Sequence, residues 1–510
     1  MRFFTLALIT VGLVTGAGAA RHVAAPASQA VRPPAVAGQF YPGEPSVLRL
    51  ALDGYFRDAL PARVTRPVAI IVPHAGYIYS AQIAADAYRQ VSGQPIDTVV
   101  ILGTNHTSGT FKRVSVYDGA AYRTPLGLAR VNRELAEILV KEGGGVFDSS
   151  LHGSEHSVEV QVPFVQYLFP NAAIVPVVVG SPDPESCRRF GKALAAAAGG
   201  RHLLIVASSD LSHYPAQRDA AIVDRETLKA VANLKADAFD SSPARLADLR
   251  RRGVETCACG EGPIRVVMEA ARALGAVHGT VVSYANSGDL AIGDPDRTVG
   301  YGAIAFGTGE PGADAGALEP AVAEPRGALD PADKKVLLRL ARETLTRYLR
   351  TETVPLPRGG SPRLLRDAGA FVTLRTHGEL RGCIGRIQPE GTLIRLVSLL
   401  ALESALKDPR FTPVQASELK DIDIEVSVLT PMARVAGPDA IVPGRDGVVL
   451  SVGGRSAVFL PQVATEQHWG RTELLDNLAR KAGLPAQAWR GKDASFLTFQ
   501  ADVFDESMLK

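Results

Sequence analysis

The stretch "ETCACGEGPI" (Glu255–Ile264) places two cysteines, Cys257 and Cys259, one residue apart. A thiolate can attack an electrophile or bind a metal, and a thiol can also pack as a small apolar group. A bridge between these two would close a very small ring, which disulfide geometry disfavours. The local sequence leaves four readings open: a strained disulfide, buried filler, a nucleophile with its helper, or a metal ligand beside a spare thiol. The partners that decide among them must come from elsewhere in the chain.

Five of the ten histidines fall into short polar clusters. His74 is in "PHAGYIYS" and His106 in "GTNHTS". His152, Glu155 and His156 share "LHGSEHSVEVQVPF", and Asp210 and His213 share "SSDLSHYP". One histidine alone is more often a satisfied core or surface residue than a ligand. Five in comparable positions point to a metal or acid–base site. Neutral imidazoles suit Fe, Cu or Zn, and a carboxylate or thiolate would complete a three-ligand site with an open position. The i, i+3 spacing of Asp210 and His213 lets them share a site or orient each other.

The elements around these clusters explain why they should meet. "VAIIV" (Val68–Val72), "TVVIL" (Thr98–Leu102), "IVPVVV" (Ile174–Val179) and "LLIVA" (Leu203–Ala207) read as fully buried strands. Helices are predicted over Ala81–Val91, Val158–Leu168 and Arg218–Leu234, and "GTVVSYA" and "VGYGAIAF" add later strands. This alternation predicts an α/β domain with a largely parallel central sheet. Ligands of such sheets gather outside the carboxyl ends of the strands, where His74, His106, Asp210 and His213 all fall.

A chain of 510 residues exceeds one ordinary core, so two or three domains are expected. The Pro-, Gly- and acid-rich segment "GTGEPGADAGALEPAVAEPRGALDP" (Gly307–Pro331) reads as a linker. The expected domains are 32–307 and 331–510, joined by 308–330. The second is predicted to be a smaller α+β domain. A helix over about Asp333–Arg350, begun by Asp330-Pro331, opens it. The strands "AFVTLRT", "DIEVSVL", "GVVLSV" and "SAVFLP" follow, with helices at Leu393–Lys407 and Thr472–Ala482.

Fifty-five basic against 53 acidic side chains leave +2, which gives no electrostatic footprint for nucleic acid. The first 20 residues carry Arg2, an apolar run from Phe3 to Val14, and Ala17 and Ala19 in an A-x-A arrangement. This is the layout of a secretory signal peptide, and the run falls short of the roughly 20 residues that span a bilayer. The expectation is export to the periplasm with no membrane span in the mature chain; the alternative is a cytoplasmic protein with a misassigned start.

In series, "PHAGYIYS", "GTNHTS", "EHSVEVQVPF", "SSDLSHY" and "CGEGPI" resemble the Memo family, over nearly all of Val36–Phe306. Its fold is similar to that of the class III extradiol ring-cleaving dioxygenases, which bind Fe(II) through two histidines and a glutamate. The resemblance implies metal ligands at His74, His106 and Cys259, with Cys259 where the third ligand lies. It places Asp210 and His213 on an acid–base or supporting pair, with His152, Glu155 and His156 around the pocket. A thiolate in place of a carboxylate favours Cu, Zn or a strongly donated Fe(II) and is itself oxidisable. Memo-like proteins have also been read as phosphopeptide-binding adaptors and as copper- or iron-binding redox proteins, so a small molecule or a peptide is the expected ligand. Cys257 has no partner set and is read as a packing neighbour.

"ELRGCIGRIQP" (Glu379–Pro389) and "SALKDPRFTPV" (Ser404–Val414) resemble the AMMECR family over about Asp330–Lys510. Cys383 is expected in a Gly-flanked turn after a strand, beside Arg381 and Arg386, where cations would favour a reactive thiolate. The competing reading is a small buried residue between glycines that supply positive φ. Proteins resembling the two families occur alongside a radical SAM protein, and their fusion implies joint action with such a separate partner. This chain has no CxxxCxxC cluster motif of its own.

Overall fold

The computed structural model describes residues 29–509 except 182, 236–238, 240–241, 310–327 and 359–360. The leader expected at 1–20 and most of the linker expected at 308–330 lie outside the described residues.

The apolar runs form the N-terminal sheet. Its strands are β1 (Pro67–Val72), β2 (Thr98–Thr104), β3 (Val114–Val116), β4 (Val146–Phe147), β5 (Ala173–Val179), β6 (Leu203–Ser208), β7 (Gly279–Asn286) and β8 (Gly300–Gly307). They lie in the order β7-β8-β1-β6-β2-β5-β3-β4. The four central strands β1, β6, β2 and β5 are mutually parallel. The flanks turn antiparallel, at β8 against β1, β7 against β8, and β3 against β5. The expectation of a largely parallel sheet therefore holds for its centre.

Both faces are covered, which is why the strands read as continuous apolar runs rather than alternating ones. Ile70, Val72, Val99 and Ile101 enter one core with Leu52, Tyr88 and Phe164. Their sequence neighbours Ala69, Ile71, Val100 and Leu102 enter the other core with Phe190, Leu194 and Val266. The helices supplying these layers include α1 (Pro45–Arg57), α2 (Tyr77–Val91), α3 (Arg133–Gly143), α4 (His156–Glu159), α5 (Val162–Leu168), α6 (Pro184–Ala198), α7 (Gln217–Ala232) and α8 (Glu261–Ala273). The single helix expected over Val158–Leu168 is instead two. The break falls before Val162, whose successor Pro163 sits in the first turn of α5, where a missing N–H costs nothing.

The C-terminal region opens with α9 (Pro331–Thr351). The Asp330 carboxylate accepts the Asp333 amide, and Asp333 returns the bond to the Asp330 amide, so the cap read from the sequence is a reciprocal one. Helices α9 and α10 (Leu393–Leu406) pack on an antiparallel sheet. Its strands are β9 (Ala370–Thr376), β10 (Glu379–Arg386), β11 (Ile422–Leu429) and β16 (Ala501–Asp505), in the order β10-β9-β11-β16. A second sheet, β12 (Ala433–Val435), β13 (Gly447–Val452), β14 (Arg455–Phe459) and β15 (Ser495–Phe499), packs on α11 (Arg471–Lys481) around Trp489. The chain is thus an α/β region followed by a smaller α+β region. No helix among the described residues is long and apolar enough to cross a membrane.

Candidate metal centre

The carboxyl ends of β1, β2 and β6 stop beside one another because those strands are parallel neighbours, and the loops leaving them converge. His74 lies two residues past β1, His106 two past β2, and Asp210 two past β6. Cys259 reaches the same place from the start of α8. The Thr104 hydroxyl donates to the Cys259 carbonyl at 2.9 Å, and the Cys259 amide donates to the Asp210 carbonyl at 3.3 Å. Gly260 follows because nothing larger fits: a Cβ there would lie 2.5 Å from Ser209 Cβ and 2.9 Å from the Ser208 carbonyl. The glycine of "CGEGPI" lets the thiol reach the strand ends.

Two overlapping groups of donor atoms result. His74, His106 and His156 form one, and His74, Asp210 and Cys259 the other, with the donor atoms of each within 4.8 Å of one another. The expected set of His74, His106 and Cys259 is thus distributed over two groups joined by His74. Cys259 Sγ is 3.1 Å from His74 Nε2, and Asp210 Oδ2 is 3.9 Å from the same nitrogen. The His106 and His156 rings stack at 4.5 Å between centroids, and the His74 ring stands edge-on to both.

The hydrogen bonds behind the rings fix which nitrogens face the pocket. Ser208 Oγ donates its single proton to the Ser157 carbonyl at 2.6 Å, so toward His74 Nδ1, 3.3 Å away, it can only accept. His74 therefore carries its proton on Nδ1 and turns the Nε2 lone pair into the pocket. His106 Nδ1 donates to Glu155 Oε1 at 3.0 Å, which leaves its Nε2 free in the same way. Glu155 also accepts the His106 amide at 2.7 Å and the Ser157 amide at 2.8 Å. Such carboxylate and hydroxyl supports are what hold metal-binding imidazoles in one tautomer and orientation.

Burial, and then the neighbouring His106, lower the His74 imidazole to about 3, so it is neutral at physiological pH. Burial followed by His74 and His106 lowers His156 to about 4. Burial works to raise the Glu155 carboxyl, but the His106 ring and amides outweigh it and hold the group at about 2. Burial and the Asp210 carboxylate push the Cys259 thiol well up. Burial also raises Asp210 and lowers His213, while the charge of each partly offsets this in the other. Asp210 spends its own hydrogen bonds on the His74 amide, at 2.7 Å, and the Ala75 amide, at 3.2 Å. His213 Nε2 is buried and has no hydrogen-bond partner among the described residues.

These groups open into a cavity of about 550 Å³ that also touches Phe40, Tyr79, Tyr301, Ile292 and Arg297. Sequence reasoning singled out none of these five: Tyr79 and Tyr301 lie in α2 and β8, and Phe40, Ile292 and Arg297 lie outside the polar clusters. His156 was expected at the pocket and is there. His152 was expected there too, and is not. It lies fully buried in the core, with Tyr122 Oη at 2.7 Å from Nδ1 and Ser115 Oγ at 3.2 Å from Nε2. Cys257 packs against Val223, Leu249 and Val254, and all four cysteines are free.

Cys383 is not in a turn. It lies inside β10, paired with Thr373 of β9, and neither flanking glycine has positive φ. β10 is an edge strand held by the second motif: the Cys383 N–H donates to Asp408 at 2.8 Å, and Ser404 Oγ accepts the Ile384 N–H at 2.9 Å while donating to the Val372 carbonyl of β9 at 2.7 Å. Gly382 is required by close approach, because a Cβ there would lie 2.0 Å from the Ser404 carbonyl. Arg381 is paired with Glu418, and Arg386 with Glu390 and Glu403. The two motifs of this region thus lock together as a capped sheet edge.

Residues 32–305 match the Memo-like protein family and residues 338–504 match AMMECR1. The chain is 37% identical to MEMO1 family protein MK0963 of Methanopyrus kandleri over 54% of its length and 99% of that protein. It is 38% identical to the MEMO1 family protein of Aquifex aeolicus, over 54% of this chain and 99% of that protein. Among solved structures, the uncharacterized protein PH0010 of Pyrococcus horikoshii matches 33% of this chain and 89% of its own, at 38% identity and a TM-score of 0.32. This chain belongs to the Memo-like protein family and carries an AMMECR1 domain in the same polypeptide.

Proposed function

We propose that the pocket binds one metal ion, Fe(II) or Cu with Zn as a further candidate, and that the chain is a metal-dependent oxidoreductase related to the class III extradiol dioxygenases. The observation that carries this reading is the His74 Nε2 lone pair, which faces the Cys259 thiol at 3.1 Å and Asp210 at 3.9 Å, with His106 and His156 grouped around the same imidazole. Imidazole nitrogen, thiolate and carboxylate are a donor set for a borderline or soft metal. His74 and Cys259 would hold the ion, with His106, His156 and Asp210 completing its surroundings. A bound ion of this kind supplies Lewis acidity and, for Fe or Cu, access to redox chemistry.

The remaining groups divide the other tasks. His213, with an unspent Nε2 at the cavity, is the residue placed to accept or return a proton. Asp210 anchors the His74 loop and biases His213 by its charge. Phe40, Tyr79 and Tyr301 give an apolar wall suited to a flat or aromatic ligand. The reading extends to domains at 32–307 and 331–510, export through the leader at 1–20, and joint action with a separate radical SAM protein; their support is the sequence pattern and the fusion itself.

Elemental analysis of the purified chain tests the core of the proposal. Stoichiometric metal that is lost in the His74→Ala, His106→Ala double variant is expected. Unchanged content in that variant would sink the metal site. Oxygen consumption by the iron- or copper-loaded protein with catechols or thiols tests turnover; metal binding without it would leave a binding module.

A further inference from the structure

One wall of the pocket is the segment from Ser287 to Val299, which contributes Ser287, Ile292, Gly293, Asp294, Arg297 and Val299. Its tip is a tight turn: the Leu290 amide donates to Ser287 at 3.2 Å and the Gly293 amide to Leu290 at 3.2 Å. This turn is gripped from the other domain. Arg395, in the first turn of α10 and 7% exposed, donates through Nε to the Leu290 carbonyl at 3.1 Å and through Nη2 to the Gly293 carbonyl at 2.6 Å. Between them Leu290 and Ala291 are buried with Val354 and Leu402 of the C-terminal region, against Ile78 of α2. Tyr79, the next residue of α2, faces the pocket.

An arginine in the apolar helix α10 needs a reason, because burying a charged group away from water is costly unless its hydrogen bonds are met. Two main-chain carbonyls on one short turn meet two nitrogens of the planar fork, and this geometry ties the turn's position to that of α10. We propose that Arg395 is a positioning residue for the metal pocket: from the AMMECR1 domain it fixes the wall through which a bound cation or its ligand enters and leaves. The inference rests on the pocket being the metal site. It adds that the pocket of one domain is finished by the other. A second seam contact serves as a control. Arg358 of the C-terminal region pairs with the fully buried Asp86 of α2, which also accepts the Leu60 amide and the Ser283 hydroxyl. It strengthens the same seam without touching the wall.

The test loads the full chain with Zn(II) and follows the rate at which an excess of chromophoric chelator removes it. The variants are Arg395→Ala, Arg395→Lys, Arg358→Ala and His74→Ala. Release from Arg395→Ala should quicken about tenfold, as expected for coupling through one packed contact. Arg395→Lys should fall between this and the parent, because one amine cannot span both carbonyls. Arg358→Ala should melt at a lower temperature yet release zinc within about twofold of the parent. Parent-like release from both Arg395 variants, with zinc binding abolished in His74→Ala, would overturn the positioning role and leave the metal site standing. Release from Arg358→Ala as fast as from Arg395→Ala would assign the effect to general loosening of the seam and equally overturn it. Zinc retained by His74→Ala as by the parent would remove the metal site itself, and the inference with it. If Arg395→Ala does not fold, Arg395→Lys decides between the same outcomes.

Discussion

Cys259 Sγ and His74 Nε2 face each other at 3.1 Å, and the proton between them belongs to the thiol. The His74 lone pair is turned that way by the Ser208 hydroxyl, and burial together with Asp210 keeps the thiol protonated. A metal ion at this point takes the place of that proton. Metal uptake should therefore release about one proton per ion from the thiol, because a coordinating thiol is deprotonated outright. Titration in weakly buffered solution with a pH indicator measures it. Cys259→Ser should release close to none and bind at least about 100-fold more weakly, more than the loss of a supporting residue costs.

The carboxylate behind His106 gives a separate expectation. Glu155 holds the ring, its own loop amide and the first turn of α4 together. Glu155→Gln keeps the shape but weakens the hold on the tautomer. Metal affinity should fall by about 10- to 100-fold with little change in secondary structure. Competition against a chelator of known affinity, alongside circular dichroism, separates the two effects.

At the seam, Arg358→Ala leaves the Asp86 carboxylate fully buried with two neutral donors and no cation. Removing one member of a buried ion pair costs about 3–5 kcal/mol, so the urea midpoint should drop sharply. The double change Arg358→Ala, Asp86→Asn should recover part of the loss, since it also removes the stranded charge.

The capped sheet edge predicts a pH effect. Hydrogen bonds from Arg410, and then from the Cys383 amide, hold the Asp408 carboxyl well below the usual carboxylate range, although burial opposes them. A group whose folded pKa is depressed contributes stability above its unfolded value, near about 4, and that contribution is lost as pH falls toward the folded one. Asp408→Ala should cost about 1.5–3 kcal/mol at pH 7 and progressively less below pH ~4. Urea unfolding of parent and variant at pH 7 and pH 3 checks the sign.

Much of the site was legible because its signals are local. A buried run such as "VAIIV" followed at once by a polar loop announces a strand end, and parallel strands bring their ends together without further instruction. What escaped depended on turn geometry or on distant partners. His152 and His156 are four residues apart and looked equivalent. The short helical turn Ser149–His152 sends the first into the core, while Glu155 caps α4 and directs the second to the pocket. The glycines around Cys383 suggest a turn in the sequence, whereas in β10 Gly382 makes room for the Ser404 carbonyl of α10 and Gly385 for the Phe371 ring of β9. Arg395 carries no readable signal, since besides the nearby Glu390 carbonyl its partners are main-chain carbonyls about a hundred residues away, at Leu290 and Gly293.

The seam also bears on how the two halves meet. The relatives from Methanopyrus kandleri and Aquifex aeolicus are matched over 99% of their own length by 54% of this chain. In this chain the arginines that grip α2 and the pocket wall travel on the same polypeptide as their targets. Docking is then a first-order event, set by an effective concentration that the tether imposes rather than by how much protein is present. Dilution cannot part Arg395 from its wall, so the pocket's shape is independent of expression level in a way that no pair of separate chains can match.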